Sequence, residues 1–120
     1  MDCKIIEEEK DKEKMKIGIL IGTNEAEIIW NAFRFGNFSL EKKHSVSVFL
    51  LGKGVECEKI RSKQYPVKEQ IQKFTDSGGS IFACGTCLIS RRMRGSPVCL
   101  ISTMQELMNI VEESDRILSF

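Results

Sequence analysis

The chain has one histidine, a formal net charge of only +1 across 120 residues, and no second Cys-x-x-Cys pair beside Cys84 and Cys87. Each shortage excludes a class of function. A near-balanced charge argues against nucleic acid or an anionic membrane surface as a partner. No apolar run approaches the ~18 residues needed to span a bilayer. The stretch from Met1 to Lys16 is mostly Glu, Lys and Asp and lacks the apolar core of a secretory signal, so a cytoplasmic location is expected. Cys84 and Cys87 alone supply only two zinc ligands, and His44 is remote in sequence with no acid partner in view, so no metal is expected. Phosphate chemistry is also poorly served. Gly22-Thr23-Asn24 is too short and too poor in glycine to cradle a phosphate, and Gly52-Lys53-Gly54 is half of a phosphate loop that reads better as a tight turn.

Five cysteines are present: Cys3, Cys57, Cys84, Cys87 and Cys99. Their odd number and uneven spacing argue against a secreted disulfide framework. The run Ile81-Phe82-Ala83-Cys84-Gly85-Thr86-Cys87-Leu88 places Cys84 where a short buried strand ends and a helix begins. Backbone N–H groups at such a helix start favour a thiolate. Gly85 leaves room for a bulky partner, Thr86 can donate a hydrogen bond, and Arg91, Arg92 or Arg94 can fold back to favour negative charge. Cys87, three residues on, either resolves an oxidised Cys84 or hands sulfur along, or else faces the core as a small apolar residue. Cys99 reads as a core residue, Cys57 as a loop residue near Gly54, and Cys3 as part of a charged leader.

Apolar patterning sets the fold. Residues 1–15 read as a charged, flexible leader and 16–120 as one α/β domain. Ile17–Ile21 is a short continuous apolar run of the kind buried on both faces of a parallel sheet. Thr23 or Asn24 is placed to cap a helix carrying Ile28, Ile29, Ala32, Phe33 and Phe35, with Phe38 and Leu40 extending the pattern beyond Gly36. Further strands are expected at Ser45–Leu51, Ser80–Ala83, Val98–Ile101 and Arg116–Phe120. A loop of about ten residues follows Gly54. Pro66 suits the first turn of a helix that ends at Gly78-Gly79. Thr103-Met104-Gln105-Glu106 has capping-box spacing for the last helix. Trp30, Phe33, Phe35 and Phe38 read as core or subunit contact. Alternating strands and helices predict a mostly parallel five-stranded sheet with helices on both faces. The segments after strands one, two and three then share the rim at the carboxyl ends of the strands.

Taken in order and spacing, five features resemble the DsrE/DsrF-like family of small sulfur-relay proteins, which includes the TusD-like subunits. They are the strand Ile17–Ile21, the strand and loop Val48–Val55, the turn Ala83-Cys84-Gly85-Thr86-Cys87, the stretch Arg92-Met93-Arg94-Gly95, and the ending Asp115–Phe120. The resemblance runs from Lys16 to Phe120. It implies a three-layer α/β/α fold, assembly as a homo-oligomer (trimer or hexamer), and no cofactor. It also implies a role for Cys84 as carrier of a persulfide between sulfur donor and acceptor proteins. Cys87 matches a position that is not generally cysteine in the relay subunits, so its role comes from this chain alone. Two other functions fit the residues: a Cys84–Cys87 thiol–disulfide or redox-sensing protein, and a non-catalytic oligomeric scaffold.

Overall fold

The first strand, β1 (Lys16–Ile21), buries Ile17, Gly18, Ile19 and Ile21 in near succession rather than in alternation. That pattern requires cover on both sheet faces. The computed structural model, which describes residues 14–120, supplies it. The expected leader, residues 1–15, lies outside the described residues except for Lys14 and Met15. The remaining elements are α1 (Ala26–Glu41), β2 (Ser45–Leu50), a 3-10 segment (Gly52–Lys59), α2 (Val67–Asp76), β3 (Ser80–Cys84), α3 (Gly85–Ser90), β4 (Leu100–Ser102), α4 (Met104–Glu113) and β5 (Arg116–Ser119).

The five strands form one sheet in the order β4-β3-β2-β1-β5, and every neighbouring pair is parallel. Side-chain alternation along β1 separates its two faces. Ile19 lies against Gly36 of α1, whereas a methyl group at adjacent Gly18 would meet Ile110 of α4. Helices α1 and α2 pack together, with Phe33 meeting Phe74 edge to face at 5.4 Å. On their side of the sheet lie Ile17, Ile19, Ile21, Val46, Val48, Leu50, Ile81 and Ala83, all buried. Helix α4 covers the other side. The fold is the expected three-layer α/β/α arrangement.

Several local expectations shift. Thr23 accepts the Glu25 N–H at 3.1 Å, but the N-cap of α1 is Glu25, one position after Asn24. The expected loop after Gly54 is instead the 3-10 segment, whose first turn closes through Gly54 N–H to the Leu51 carbonyl. The fourth strand starts at Leu100 rather than Val98 because Ser96 takes the preceding backbone groups. Its hydroxyl accepts the N–H of Val98 and Cys99, and its own N–H goes to the Cys99 carbonyl. Thr103 caps α4 as expected, accepting the Gln105 N–H at 3.3 Å. Helix α2 ends at Gly78, with φ of 96°. Helix α3 ends in the same pattern without glycine: Arg92 sits at φ 55°, and Arg92 and Met93 donate N–H groups to Ile89 and Leu88 carbonyls.

Candidate functional site

The carboxyl ends of β1, β2 and β3 do form one rim. The decisive junction is Gly54. A methyl group there would strike the Ile21 carbonyl oxygen, so only glycine lets the 3-10 segment lie against the end of β1. That segment then presents the Gly52 N–H to Cys87 Sγ at 3.2 Å. It also presents Glu56, whose carboxylate accepts Asn24 Nδ2 at 3.3 Å and Arg91 Nε at 2.8 Å. Arg91 donates in addition to the Cys87 carbonyl at 3.1 Å. The loop after β1, the 3-10 segment and α3 are tied together around the Cys84–Cys87 turn.

Cys84 ends β3 and is the N-cap of α3, as its place in the sequence implies. Its side chain is nearly enclosed, at 4% exposure. Burial holds its thiol above the ordinary range, with hydrogen bonding to Cys87 in the same direction, against the pull of the Cys87 and Thr86 backbone N–H groups. Cys87 is half-buried and behaves oppositely. Hydrogen bonding with Cys84, then the Gly52 N–H, lowers its thiol against the effect of burial, and the Arg91 charge adds to the lowering. The two thiols are thus displaced in opposite directions, Cys84 upward chiefly by desolvation at the end of β3 and Cys87 downward chiefly by hydrogen bonding.

Cys84 opens onto a groove of about 410 Å³ lined by Gly85, Thr86, Ile89, Ile101, Ser102, Thr103 and Met104. None of these residues is charged. The groove lies between α3, β4 and the start of α4, and Cys87 is not part of its wall. Ile89, Ile101 and Met104 are 71%, 60% and 56% exposed around it.

The other sequence candidates separate. Arg91 folds back over the turn, whereas Arg92 and Arg94 are exposed. Lys53 is exposed on the 3-10 segment. Cys57 does not reach the rim. It is buried beside Cys99, whose thiol is driven up by hydrogen bonding with Cys57 and by burial. His44 is not solvent-exposed, since its Nδ1 accepts the Met15 N–H at 2.9 Å and it is half-buried. Phe33 is core, Phe35 and Phe38 are exposed, and Trp30 lies beneath the Arg34 guanidinium at 4.3 Å. Among the described residues, no group of three or more His, Cys, Asp and Glu side chains is placed to hold a metal ion, and no helix is long and apolar enough to cross a membrane. Glu56 and the Gly52 N–H escaped the sequence reading. Their one signal was a position just after β2 in an α/β pattern, the rim where loops converge.

A sequence profile of the DsrE/DsrF-like family matches residues 15–120. The chain belongs to the DsrE/DsrF-like family. A conserved protein of unknown function from Bacteroides thetaiotaomicron has a similar solved structure, with a TM-score of 0.70 at 19% identity over 88% of this chain and 94% of that one. At that identity the likeness carries the fold. The comparison with curated proteins gave no match. In this DsrE/DsrF-like chain the rim cysteines form two neighbouring but unequal positions: Cys84 at the foot of an apolar groove, and Cys87 under the Gly52 N–H.

Proposed function

We propose that this DsrE/DsrF-like protein is a small sulfur carrier that takes up and passes on persulfide sulfur through Cys84. The observation that carries the reading is the position of Cys84 at the end of β3, at the foot of an uncharged groove of about 410 Å³. A persulfide is labile to stray thiols and water-borne reductants, and an enclosed apolar site limits their access. As a donor persulfide approaches, the Cys84 thiol loses its proton to solvent, and the Cys84 thiolate attacks the outer sulfur. The new bond joins Cys84 Sγ to that sulfur, and the donor leaves as a thiolate. An acceptor thiolate removes the sulfur by the same exchange. Neither step draws on a cofactor.

Donor and acceptor proteins dock over the groove, whose exposed Ile89, Ile101 and Met104 suit an apolar contact. The same face continues along α4 through Met108 and Val111, and we assign it to assembly as a homo-oligomer, a trimer or hexamer, in the cytoplasm. A second reading, thiol–disulfide or redox-sensing chemistry by Cys84 and Cys87, draws support from the lowered Cys87 thiol beside Cys84.

Intact-protein mass spectrometry after incubation with a protein persulfide donor tests the choice. The Cys87→Ser variant, which cannot form the internal disulfide, is expected to gain one sulfur mass, and the Cys84→Ser variant to gain none. If an oxidant closes a disulfide between the two cysteines but no variant ever takes up sulfur, the redox reading replaces the carrier. If no species changes mass, Cys84 is an inert buried thiol in a scaffold.

A further inference from the structure

Cys84 and Cys87 face different surroundings although they share one helical turn. Cys84 lines the apolar groove with Ile89, Ile101 and Met104, and Cys87 does not. Cys87 is turned toward the 3-10 segment, where the Gly52 N–H donates to its sulfur at 3.2 Å and Arg91 bridges its carbonyl to Glu56. A sulfur atom added to Cys84 extends into the groove, among apolar side chains. The inner sulfur, Cys84 Sγ, is the atom that stays beside Cys87. Side chains three residues apart in a helical turn are neighbours, and the two thiols interact strongly enough to perturb one another.

We propose that Cys87 discharges a Cys84 persulfide as free hydrosulfide, which makes the protein a persulfide reductase. This rests on the carrier reading of Cys84 and adds a second fate for its sulfur. In the step, the Cys87 thiolate attacks Cys84 Sγ. A Cys84–Cys87 disulfide bond forms, and the bond from Cys84 Sγ to the outer sulfur breaks. The electron pair of that bond leaves with the outer sulfur, which keeps the persulfide proton and departs as HS⁻. The Cys87 sulfur is oxidised and the outer sulfur reduced, so the step needs no further oxidant or reductant. A dithiol reductant then resets the site, returning both protein thiols and becoming a disulfide itself.

Which sulfur is attacked decides between this reaction and simple transfer to Cys87. Three features favour the inner one. The outer sulfur is directed into the groove that Cys87 does not line. Hydrosulfide leaves more readily than an alkyl thiolate, because its conjugate acid is the stronger acid. The attacking group is held as an acceptor by a backbone N–H, which favours its anionic form.

The experiment loads the fully reduced, full-length protein with glutathione persulfide without oxygen, and follows released sulfide and intact mass together. Wild type is expected to release sulfide in step with the loss of two hydrogens, about one sulfide per disulfide formed, above the Cys84→Ser background. Cys87→Ser is expected to keep one added sulfur on Cys84 and to release sulfide roughly tenfold more slowly or less. Should Cys87→Ser fold poorly, the wild-type time course decides: a species with one added sulfur must precede the disulfide, and a glutathione adduct preceding it instead overturns the reductase. A wild type that holds a stable added sulfur and releases none leaves the carrier standing and overturns the reductase. Added sulfur mapped to Cys87 of the wild type also overturns it, in favour of transfer. Sulfur uptake in no form of the protein removes the carrier reading and the reductase with it.

Discussion

At the scale of single residues, the opposed perturbation of two thiols in one turn gives a pH-dependent signature. A thiol reacts with alkylating agents through its thiolate. The Cys87 thiol is lowered, so its alkylation is expected to persist as pH falls below the ordinary thiol range. The Cys84 and Cys99 thiols are raised, so theirs appears only as pH climbs above that range. Peptide mapping after brief iodoacetamide exposure across a pH series checks the order. In a Cys84→Ala variant the largest cause of the Cys87 lowering is gone, and its alkylation profile should move to higher pH. An unmoved profile would assign the lowering to Gly52 and Arg91 instead. Because the two thiols interact, wild-type titration belongs to the pair.

At the scale of elements, the site depends on how closely the 3-10 segment approaches the end of β1. Gly54→Ala would drive a methyl group into the Ile21 carbonyl oxygen, which is backbone and cannot swing aside. The expected loss is about 3 kcal/mol, the upper end of overpacking costs, read as a lower urea midpoint. The Gly52 N–H would move with the segment, so Cys87 alkylation near neutral pH should slow in the same variant. Helix α3 illustrates what local sequence leaves open. Its start at Cys84-Gly85 follows from the strand–glycine junction, but its end does not. A sequence reader looks for glycine in the left-handed cap position, and here Arg92 occupies it at φ 55°. The β4 boundary was equally opaque, because Val98 and Cys99 look like strand residues until the Ser96 hydroxyl is seen to take their N–H groups.

At the scale of the whole molecule, β4 is a sheet edge of three residues, and the apolar surface beside it is continuous with α4. Ile101, Met104, Met108 and Val111 are each about half exposed, and contiguous apolar patches of this kind mark interaction surfaces. Native mass spectrometry is expected to find an oligomer of the wild type and a shift toward monomer in a Met108→Asp, Val111→Asp double variant. These side chains are exposed within one chain, so monomer stability should change by no more than about 0.5 kcal/mol per site. An unchanged oligomer would place the subunit contact elsewhere, and a wild-type monomer would leave the patch for partner proteins alone.

The sequence by itself determined the parallel sheet, its strand order of appearance, the layering, and the position of Cys84. Continuous apolar runs, alternation with amphipathic helices, and a cysteine followed by glycine are local signals, and burial of apolar surface acts on them directly. The family was legible for the same reason, since its features lie along one chain in fixed order. Only the tertiary structure decided the surroundings of the two thiols. Cys84 is desolvated at the end of β3, while Cys87 shares a hydrogen bond with Cys84, accepts an N–H from Gly52 and feels the Arg91 charge. These groups come from two segments far apart in sequence, 52–59 and 84–91, and meet only because parallel strands bring their carboxyl ends to one rim. The retreat of Cys57 to Cys99 in the core, and the division of Cys84 and Cys87 between an apolar groove and a polar wall, have the same origin. Spacing of three residues places two cysteines on one turn, but their surroundings are set by packing.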